Sequence, residues 1–432
     1  MSAASPAARA QAATRAGRHA EALAAAREWI AAAPSSPVAH RCAAQASIRL
    51  GDAGGAARAF EAAEALGGGA ECAFNAGNAW RAAGEPALAL AAWRRALPGA
   101  AGLGTHAMAL GRALAAAGDR GAAAAAWLAR FEADPAAFDA VQAIVSSAAA
   151  DRARAATPLP FAARGPRPAP GSFGFVVCSV DSAKFAALSD VLDARFGAID
   201  HEILRVPDAR SLAEGYSRGL ERMRADAVVF CHDDIDILAP DAADRLAIHL
   251  TTHDIVGVAG STRATGPAFS WTGHPTVHGW VTHRPPEASG FEPSFLSLAY
   301  PAVGGIEVLD GVFIACRREA AVATGFDATT FDGFHGYDID FSFRAFLAGR
   351  SLAVACDLAL VHFSKGRYDE VWQRYADRLR AKFAGRLDGP VGAAHFHIVQ
   401  VPGADDVLRA QQRLAETLAV ARSLAGAGGG SR

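Results

Sequence analysis

The sequence lacks a long apolar run, an excess of charge of one sign and a dense set of cysteines. No apolar stretch approaches the roughly 18 residues that a membrane-spanning helix needs, and arginines interrupt residues 1–30, where a signal peptide would have its apolar core. Charged residues make up only 20% of the chain and sum to a net charge of −2. A nucleic-acid backbone or an anionic membrane surface usually requires a basic excess, so we expect neither as a partner.

The few cysteines also exclude a recognisable disulfide framework. Six are scattered along the chain without a CxxC pair: Cys42, Cys72, Cys178, Cys231, Cys316 and Cys356. This spacing favours small buried apolar side chains in a reducing compartment over disulfides or a zinc site. We therefore expect a cytoplasmic protein.

Apolar residues are abundant, at 51% of the 432 residues, which excludes wholesale disorder. A chain of this length predicts two or three domains. Much of the apolar fraction is alanine, which buries little surface per residue and favours helices.

Residues 1–150 contain a repeat of 33 to 34 residues, marked by Gly17, Gly51, Gly84 and Gly118. An alanine follows each glycine after five residues (Ala22, Ala56, Ala89, Ala123), and three repeats have a large side chain four positions later (Phe60, Trp93, Trp127). The pattern predicts a helix pair per repeat, with a glycine turn and a close approach of helices at the alanine. It resembles the tetratricopeptide repeat, whose period is 34; a generic alanine-rich bundle is the alternative. Either arrangement indicates a platform that binds a protein partner.

Prolines and glycines at 151–172 predict a semi-stiff linker after the repeats. From residue 173 on, short β-branched runs alternate with helical patterns, including predicted strands at 173–180 and 227–231 and a helix at 182–196. This alternation predicts a mostly parallel sheet, whose ligands gather at the carboxyl ends of the strands. We expect four parts: a repeat domain (1–150), the linker, an α/β domain (173–390) and a C-terminal helix with a disordered tail (391–432).

Three carboxylates follow the predicted strand at 227–231: Asp233, Asp234 and Asp236. Like charges so close together repel one another unless a cation or hydrogen-bond donors compensate. Asp234 and Asp236 lie on one side of an extended segment and can share a divalent ion, for which carboxylates and substrate phosphates suit Mg²⁺ or Mn²⁺. The alternative is that these acids cap the next helix or lie in a solvated turn.

A second pair of acids, Asp338 and Asp340, follows a loop rich in glycine and aromatics and precedes a helical pattern. Acids at a helix start can be caps, and a loop of this kind is also suited to a general base facing a bound substrate.

Another predicted strand ends at His362, which is either structural or a ligand. Lys365 and Arg367 follow it in a short glycine loop, a setting suited to a diphosphate. Farther back, residues 260–300 combine Trp271 with histidines, prolines and glycines. We interpret this segment as a loop with aromatic surfaces for sugar rings, plain structural packing being the alternative.

Together these segments resemble the family 2 glycosyltransferases and their relatives with the GT-A fold, above all the branch that includes glycosyltransferase-like proteins of streptomycin biosynthesis clusters. The resemblance covers residues 173–383 and rests on these stretches in the family's order: SLAEGYSRGL (211–220), VVFCHDDIDI (228–237), LDGVFIACRREA (309–320), GFD (325–327), HGYDIDFSFR (335–344) and VHFSKG (361–366). It implies the fold class α + α/β, in which an N-terminal α-solenoid precedes a Rossmann-like glycosyltransferase domain.

By that resemblance, Asp234, Asp236 and His362 would hold a divalent metal, Mn²⁺ or Mg²⁺, on a nucleotide-sugar diphosphate. Asp338 falls where inverting members place the catalytic base, with Asp340 as the alternative. Tyr337 stands where the family has glutamate, a departure from the pattern.

The remaining candidate residues would surround the substrates. The nucleotide-sugar donor would contact a set of polar residues: Ser179, Asp181, Asp208, Asp233, Lys365 and Arg367. Asp310, Gly311 and Trp271 would contact the donor sugar or an acceptor glycan, protein or small molecule. The expected reaction is a single displacement by an acceptor hydroxyl. The alternatives are a scaffold that binds a nucleotide sugar without turnover, and a nucleotidyltransferase, for which no glycine-rich phosphate loop is present.

Overall fold

The computed structural model describes residues 4–150, 161–284, 289–364, 366, 368–392 and 397–426. The chain divides into two compact units, one formed by residues 1–147 with 417–432 and the other by residues 148–416. The first half of the predicted linker (151–160) and the predicted disordered end of the chain (427–432) lie outside the described residues. In the described part of the chain, no helix is long and apolar enough to cross a membrane.

The first unit is built from consecutive helices, and each of the first seven packs on the helix that follows it. They are α1 (Pro6–Arg15), α2 (His19–Ala32), α3 (Pro37–Arg49), α4 (Ala53–Ala63), α5 (Gly69–Ala82), α6 (Pro86–Ala96), α7 (His106–Ala116), α8 (Arg120–Ala133) and α9 (Phe138–Ala150). A short π-helical segment (Glu64–Gly68) and a 3₁₀ segment (Leu97–Leu103) lie between pairs.

The repeat glycines occupy the turn within each of the first four helix pairs. Gly17, Gly51, Gly84 and Gly118 all have φ between +68° and +85°, a conformation that glycine adopts without a steric penalty. The predicted helix pairs with glycine turns are therefore confirmed.

Glycines on α5 and α7 make room for tryptophans of the following helices. A Cβ added at Gly77 would lie 2.4 Å from the Trp93 ring, and one at Gly111 would lie 2.1 Å from the Trp127 ring. Trp93 and Trp127 are 3% and 5% exposed, so both rings are packed inside a unit whose buried residues are mostly alanine.

The second unit contains the strands. They are β1 (Ser172–Cys178), β2 (Asp200–Val206), β3 (Ala227–Cys231), β4 (Ile235–Ile237), β5 (Ile255–Gly257), β6 (Ala259–Ser261), β7 (Val277–His283), β8 (Glu292–Phe295), β9 (Ala302–Gly304), β10 (Val308–Leu309), β11 (Phe313–Arg317), β12 (Leu352–Ala355), β13 (Leu360–His362) and β14 (His397–Ile398). The remaining helices are α10 (Ser182–Phe196), α11 (Leu212–Arg222), α12 (Ala242–His249), α13 (Arg318–Thr324), α14 (Tyr337–Leu347), α15 (Glu370–Lys382) and α16 (Ala404–Gly426).

The main sheet has the strand order β2-β1-β3-β11-β5-β12-β9. Strands β1, β2 and β3 are parallel, and β12 is parallel to β5, whereas β11 runs antiparallel between β3 and β5 and β9 antiparallel beside β12. Five strands thus share one direction, so the predicted α/β class is confirmed, but the sheet is mixed: three of its six strand pairs are parallel and three are antiparallel.

A second set of strands, in the order β10-β6-β7-β13-β4, adjoins the main sheet's carboxyl ends through the turns after β3 and β5. The antiparallel pairing of β13 with β4 sets His362 opposite Ile235. This register brings the chain just after β3 next to the end of β13.

Aromatic and branched side chains fill the core of this unit. Phe173 and Phe175 of β1 contact Phe196 of α10 edge-on, and all three are buried. Asp357 is also buried and binds His249 at 2.8 Å and Arg245 at 3.3 Å, an internal ion pair that fastens α12 to the segment after β12.

Candidate active site

Two histidines and an aspartate meet where β3 and β13 end. Nε2 of His362 lies 3.4 Å from Oδ1 of Asp234 and 3.4 Å from Nδ1 of His232, and that nitrogen is 4.0 Å from Oδ1 of Asp234. One ligand atom from each residue lies within 4.8 Å of the others. Among the described residues, this is the single group of three or more that could hold a metal ion. We call it the His–Asp–His group.

The protonation states of the group suit a cation. Burial alone would raise the pKa of Asp234, but hydrogen bonds from His362 and Ser364 and the nearby imidazoles lower it to about 2. Burial and the neighbouring His362 lower the pKa of His232. An ionised carboxylate and a neutral imidazole are forms that bind metals, so Asp234 and His232 suit a divalent ion.

The group differs from the metal ligands predicted from sequence. It includes Asp234 and His362, as predicted, together with His232, which the sequence reasoning left out although it directly precedes the acidic cluster. Asp236 is not part of it: this residue lies on β4 opposite Val361, one pair farther along the strand.

Asp338 lies in the first turn of α14 and is tied to the loop after β10. Its Oδ2 accepts a hydrogen bond of 3.0 Å from the N–H of Gly311. Burial and the negative charge of Asp310 raise the pKa of Asp338 to about 7. Asp310 itself accepts a hydrogen bond from the N–H of Val312, which holds its carboxylate in the same loop. Asp338 therefore has the basicity of a general base that works near neutral pH.

Tyr337 connects Asp338 to the His–Asp–His group. Its hydroxyl lies 3.1 Å from the carbonyl oxygen of Gly311 and 3.2 Å from Nε2 of His232. The ring is 3% exposed and packs edge-on against Tyr216.

Asp340, the alternative base, makes different contacts. Its carboxylate is 1% exposed and lies 2.9 Å from the guanidinium of Arg344 and 2.5 Å from Nζ of Lys382. Each carboxylate oxygen of Asp340 therefore already lies beside a cation inside the domain. These contacts favour Asp338 over Asp340 as the base.

Three of the residues predicted to bind the nucleotide lie together at the ends of β1 and β3. The hydroxyl of Ser179 is 2.6 Å from Oδ2 of Asp233 and 2.9 Å from the carbonyl oxygen of Asp181. Asp181 caps α10 by accepting hydrogen bonds from the N–H groups of Ala183 and Lys184, which lower its pKa.

Asp208 lies after β2 and forms an ion pair of 2.9 Å with Arg218. It helps line a cavity of about 240 Å³ together with Arg205, Arg218 and Arg222. Lys365 and Arg367, predicted to contact the diphosphate, lie outside the described residues.

Trp271 is engaged by its own domain. Its ring stacks on Trp372 with centroids 6.2 Å apart, Arg380 lies 5.2 Å from the ring centroid, and its Nε1 donates to the carbonyl of Gly389.

Trp372 in turn contacts Tyr368 edge-on at 4.9 Å. Tyr368 is 65% exposed. Burial of its hydroxyl raises the pKa of Tyr368, and so do the charges of Asp310 and Asp338. The exposed ring near Asp310 and Asp338 is therefore that of Tyr368, a residue that sequence reasoning did not single out.

A known protein family matches much of the second unit. Residues 174–380, just under half of the chain, match a family described as "Glycosyltransferase like family". The match identifies this segment as a glycosyltransferase-like domain, as the sequence motifs predicted. No curated protein matches the chain significantly.

Two solved structures resemble parts of the chain at low similarity. The mannosyltransferase PcManGT from Pyrobaculum calidifontis, solved with GDP-Man and Mn²⁺, is 15% identical over 64% of this chain and 80% of its own, with a TM-score of 0.34. A structure of MamA is 19% identical over 32% of this chain and 81% of its own, with a TM-score of 0.27. At these identities and TM-scores, no residue role is carried over from either structure to this chain.

Proposed function

We propose that this chain is a metal-dependent glycosyltransferase that moves a sugar, by our expectation a hexose, from a nucleotide-sugar donor to an acceptor hydroxyl with inversion. The observation that carries the proposal is Asp338, whose pKa is raised to about 7 and whose neighbour Tyr337 contacts His232 of the His–Asp–His group. A base near neutral pH beside a candidate metal site suits attack by a hydroxyl on a carbon that carries a diphosphate leaving group. We further propose that the domain belongs to family 2 and, within it, to the streptomycin-biosynthesis branch.

The nucleotide-sugar donor would bind at the ends of β1, β2 and β3. In this proposal Ser179, Asp181 and Asp208 contact the base and ribose, and Asp233 lies beside them. Lys365 and Arg367 follow His362 in sequence and would contact the diphosphate.

His232, Asp234 and His362 would hold the divalent ion, whereas Asp236, opposite Val361 on β4, is not part of this group. When bound, Mn²⁺ or Mg²⁺ supplies positive charge that stabilises the departing nucleoside diphosphate.

Asp338 performs the proton transfer. Its carboxylate takes the proton of the acceptor hydroxyl, whose oxygen forms a bond to the anomeric carbon from the face opposite the leaving group. The bond from that carbon to the diphosphate oxygen breaks, and its electron pair leaves on the nucleoside diphosphate. The hydrogen bond from Gly311 to Oδ2 orients the carboxylate.

The acceptor side carries the aromatic surface. Tyr368 offers an exposed ring near Asp310 and Asp338, and Trp271 and Trp372 support it. An apolar sugar face stacks well on such a ring, so we propose Tyr368, backed by Trp271, as a contact of the acceptor or donor sugar.

The helix pairs of the first unit would recruit an acceptor protein or a pathway partner. We propose the domain boundaries given above, with the repeat domain at 1–150 and the catalytic domain at 173–390, and a cytoplasmic location. All six cysteines are free thiols, which fits a reducing compartment.

A thermal-shift screen tests the function without knowledge of the acceptor. The chain is heated with each nucleoside diphosphate in the presence of Mn²⁺, Mg²⁺ or EDTA, and the nucleotide sugar of the stabilising base is then assayed for release of nucleoside diphosphate. We expect stabilisation by one base that requires the metal and is lost in Asp234→Asn. Binding without any turnover of the matching nucleotide sugars would favour a non-catalytic scaffold, and no metal-dependent binding at all would overturn the proposal.

A further inference from the structure

The contacts of Tyr337 fix which nitrogen of His232 carries the proton. A tyrosine hydroxyl has one hydrogen to donate, and a carbonyl oxygen can only accept. The Tyr337 hydroxyl lies 3.1 Å from the carbonyl oxygen of Gly311 and 3.2 Å from Nε2 of His232. Because the carbonyl takes the hydroxyl proton, the hydroxyl oxygen must accept from Nε2–H of His232.

That assignment leaves Nδ1 of His232 unprotonated, with a lone pair that can accept from Nε2 of His362 or bind a metal. Nδ1 is the nitrogen that faces the other two members of the group, at 3.4 Å from Nε2 of His362 and 4.0 Å from Oδ1 of Asp234. A neutral imidazole that donates through one nitrogen is oriented to ligate a metal through the other.

We propose that Tyr337 is a positioning residue that makes His232 a metal ligand through Nδ1, so that the site has two nitrogens and one carboxylate. This inference rests on the proposed function only for what the ion does. Mg²⁺ prefers oxygen ligands and gives up water reluctantly, whereas imidazoles suit later divalent ions. The site therefore selects Mn²⁺ or a later transition ion over Mg²⁺.

The backbone around Tyr337 is built to permit this contact. A Cβ added at Gly311 would lie 2.2 Å from the Tyr337 hydroxyl, so a glycine is needed for that hydroxyl to approach the carbonyl. The ring is held from its other side by Tyr216, which bonds the carbonyl of Cys231 at 3.2 Å. A tyrosine in place of the glutamate that the family resemblance predicts thus acts on the metal ligand.

The direct test is measured on the parent protein, and a variant serves only to assign its signals. Long-range ¹H–¹⁵N spectra of the metal-free protein, with His232 assigned by comparison with His232→Gln, report which ring nitrogen is protonated. We expect the proton on Nε2. A proton on Nδ1 would overturn the proposal.

Metal titration provides the second test. Calorimetry with MnCl₂ and MgCl₂ alone should give at least about tenfold tighter binding of Mn²⁺. Tyr337→Phe keeps the ring and should weaken Mn²⁺ binding about 10- to 100-fold, with a smaller effect on Mg²⁺. Tyr375→Phe is the matched control, because the hydroxyl of Tyr375 bonds Asp332 and not a member of the His–Asp–His group. This variant should bind Mn²⁺ as tightly as the parent protein does.

The two proposals fail in different ways. Wild-type Mn²⁺ affinity in a folded Tyr337→Phe variant, judged by its melting curve, overturns the role of Tyr337. Tyrosine-dependent Mn²⁺ binding without any response to nucleotides instead supports the metal site and removes the proposed transferase function.

Discussion

The N–H of Gly311 donates a 3.0 Å hydrogen bond to the carboxylate of Asp338, which joins the loop after β10 to the first turn of α14. The carbonyl of the same glycine accepts from Tyr337. Gly311 therefore hydrogen-bonds both Asp338, the proposed base, and Tyr337, the residue proposed to orient His232.

Gly311→Ala should impair catalysis more than stability. An added Cβ would lie 2.2 Å from the Tyr337 hydroxyl and 2.9 Å from Cβ of Asp338, so both side chains must move. Misplacement of a catalytic group by about an ångström can cost roughly 100-fold in rate. Steady-state kinetics should show a fall in kcat of about 10- to 100-fold, with Gly102→Ala as control because nothing lies within 4 Å of that position. An unchanged kcat would contradict the proposed role of Gly311.

The rate of sugar transfer should fall as the pH drops below about 7. Burial and the charge of Asp310 raise the pKa of Asp338 to about 7, and only the ionised carboxylate accepts a proton. Asp310→Asn removes the charge but keeps an oxygen that can accept from Val312. It should shift the acid limb of the kcat profile to lower pH. An unmoved limb in this variant would mean that another group limits the rate.

Asp338→Asn should abolish transfer while donor binding survives, because the amide cannot accept the proton but retains an oxygen for Gly311. The same change should raise Tm. The pKa of Asp338 lies above its ordinary value, so its ionised form costs stability in the folded state, fully above pH 7 and not at all below about pH 4. Melting curves at pH 8 and 4 should show a gain at pH 8 only.

Asp340→Asn is the control for that prediction. Removing this buried charge takes away the carboxylate that Arg344 and Lys382 share, so Tm should fall instead. Retained turnover in Asp338→Asn would remove Asp338 from the role of base.

The repeats and the α/β class could be predicted because each depends on local pattern. The turns between paired helices have positive φ, which favours glycine, so glycines at a period of 33 to 34 residues mark these turns in the sequence. The helical pattern at 182–196 likewise predicts α10. Acids after an apolar strand likewise indicate the ligand edge of the sheet.

The membership of the His–Asp–His group could not be predicted in full, because it depends on the register between strands that are far apart in the sequence. The pairing of β4 with β13 sets Asp236 opposite Val361, and the turn after β3 turns His232 toward His362, a residue 130 positions later. Lys382 reaches Asp340 from α15 in the same way. Spacing within one motif carries no information about such contacts.

Whether a repeat glycine is needed for close packing of helices can be tested by the same Gly→Ala substitution in two different helices. Gly→Ala inside a helix ordinarily stabilises it by about 0.5–1 kcal/mol. Gly54 on α4 has open space around it, with only the tip of Arg58 at 3.5 Å, so Gly54→Ala should raise Tm. Gly111→Ala on α7 would drive a methyl group to 2.1 Å from Trp127, and overpacking of this kind costs about 1–3 kcal/mol. Its Tm by circular dichroism should fall. If Gly111→Ala were as stabilising as Gly54→Ala, the tryptophan could not be packed on the glycine, and the close helix approach inferred from the repeat would be wrong.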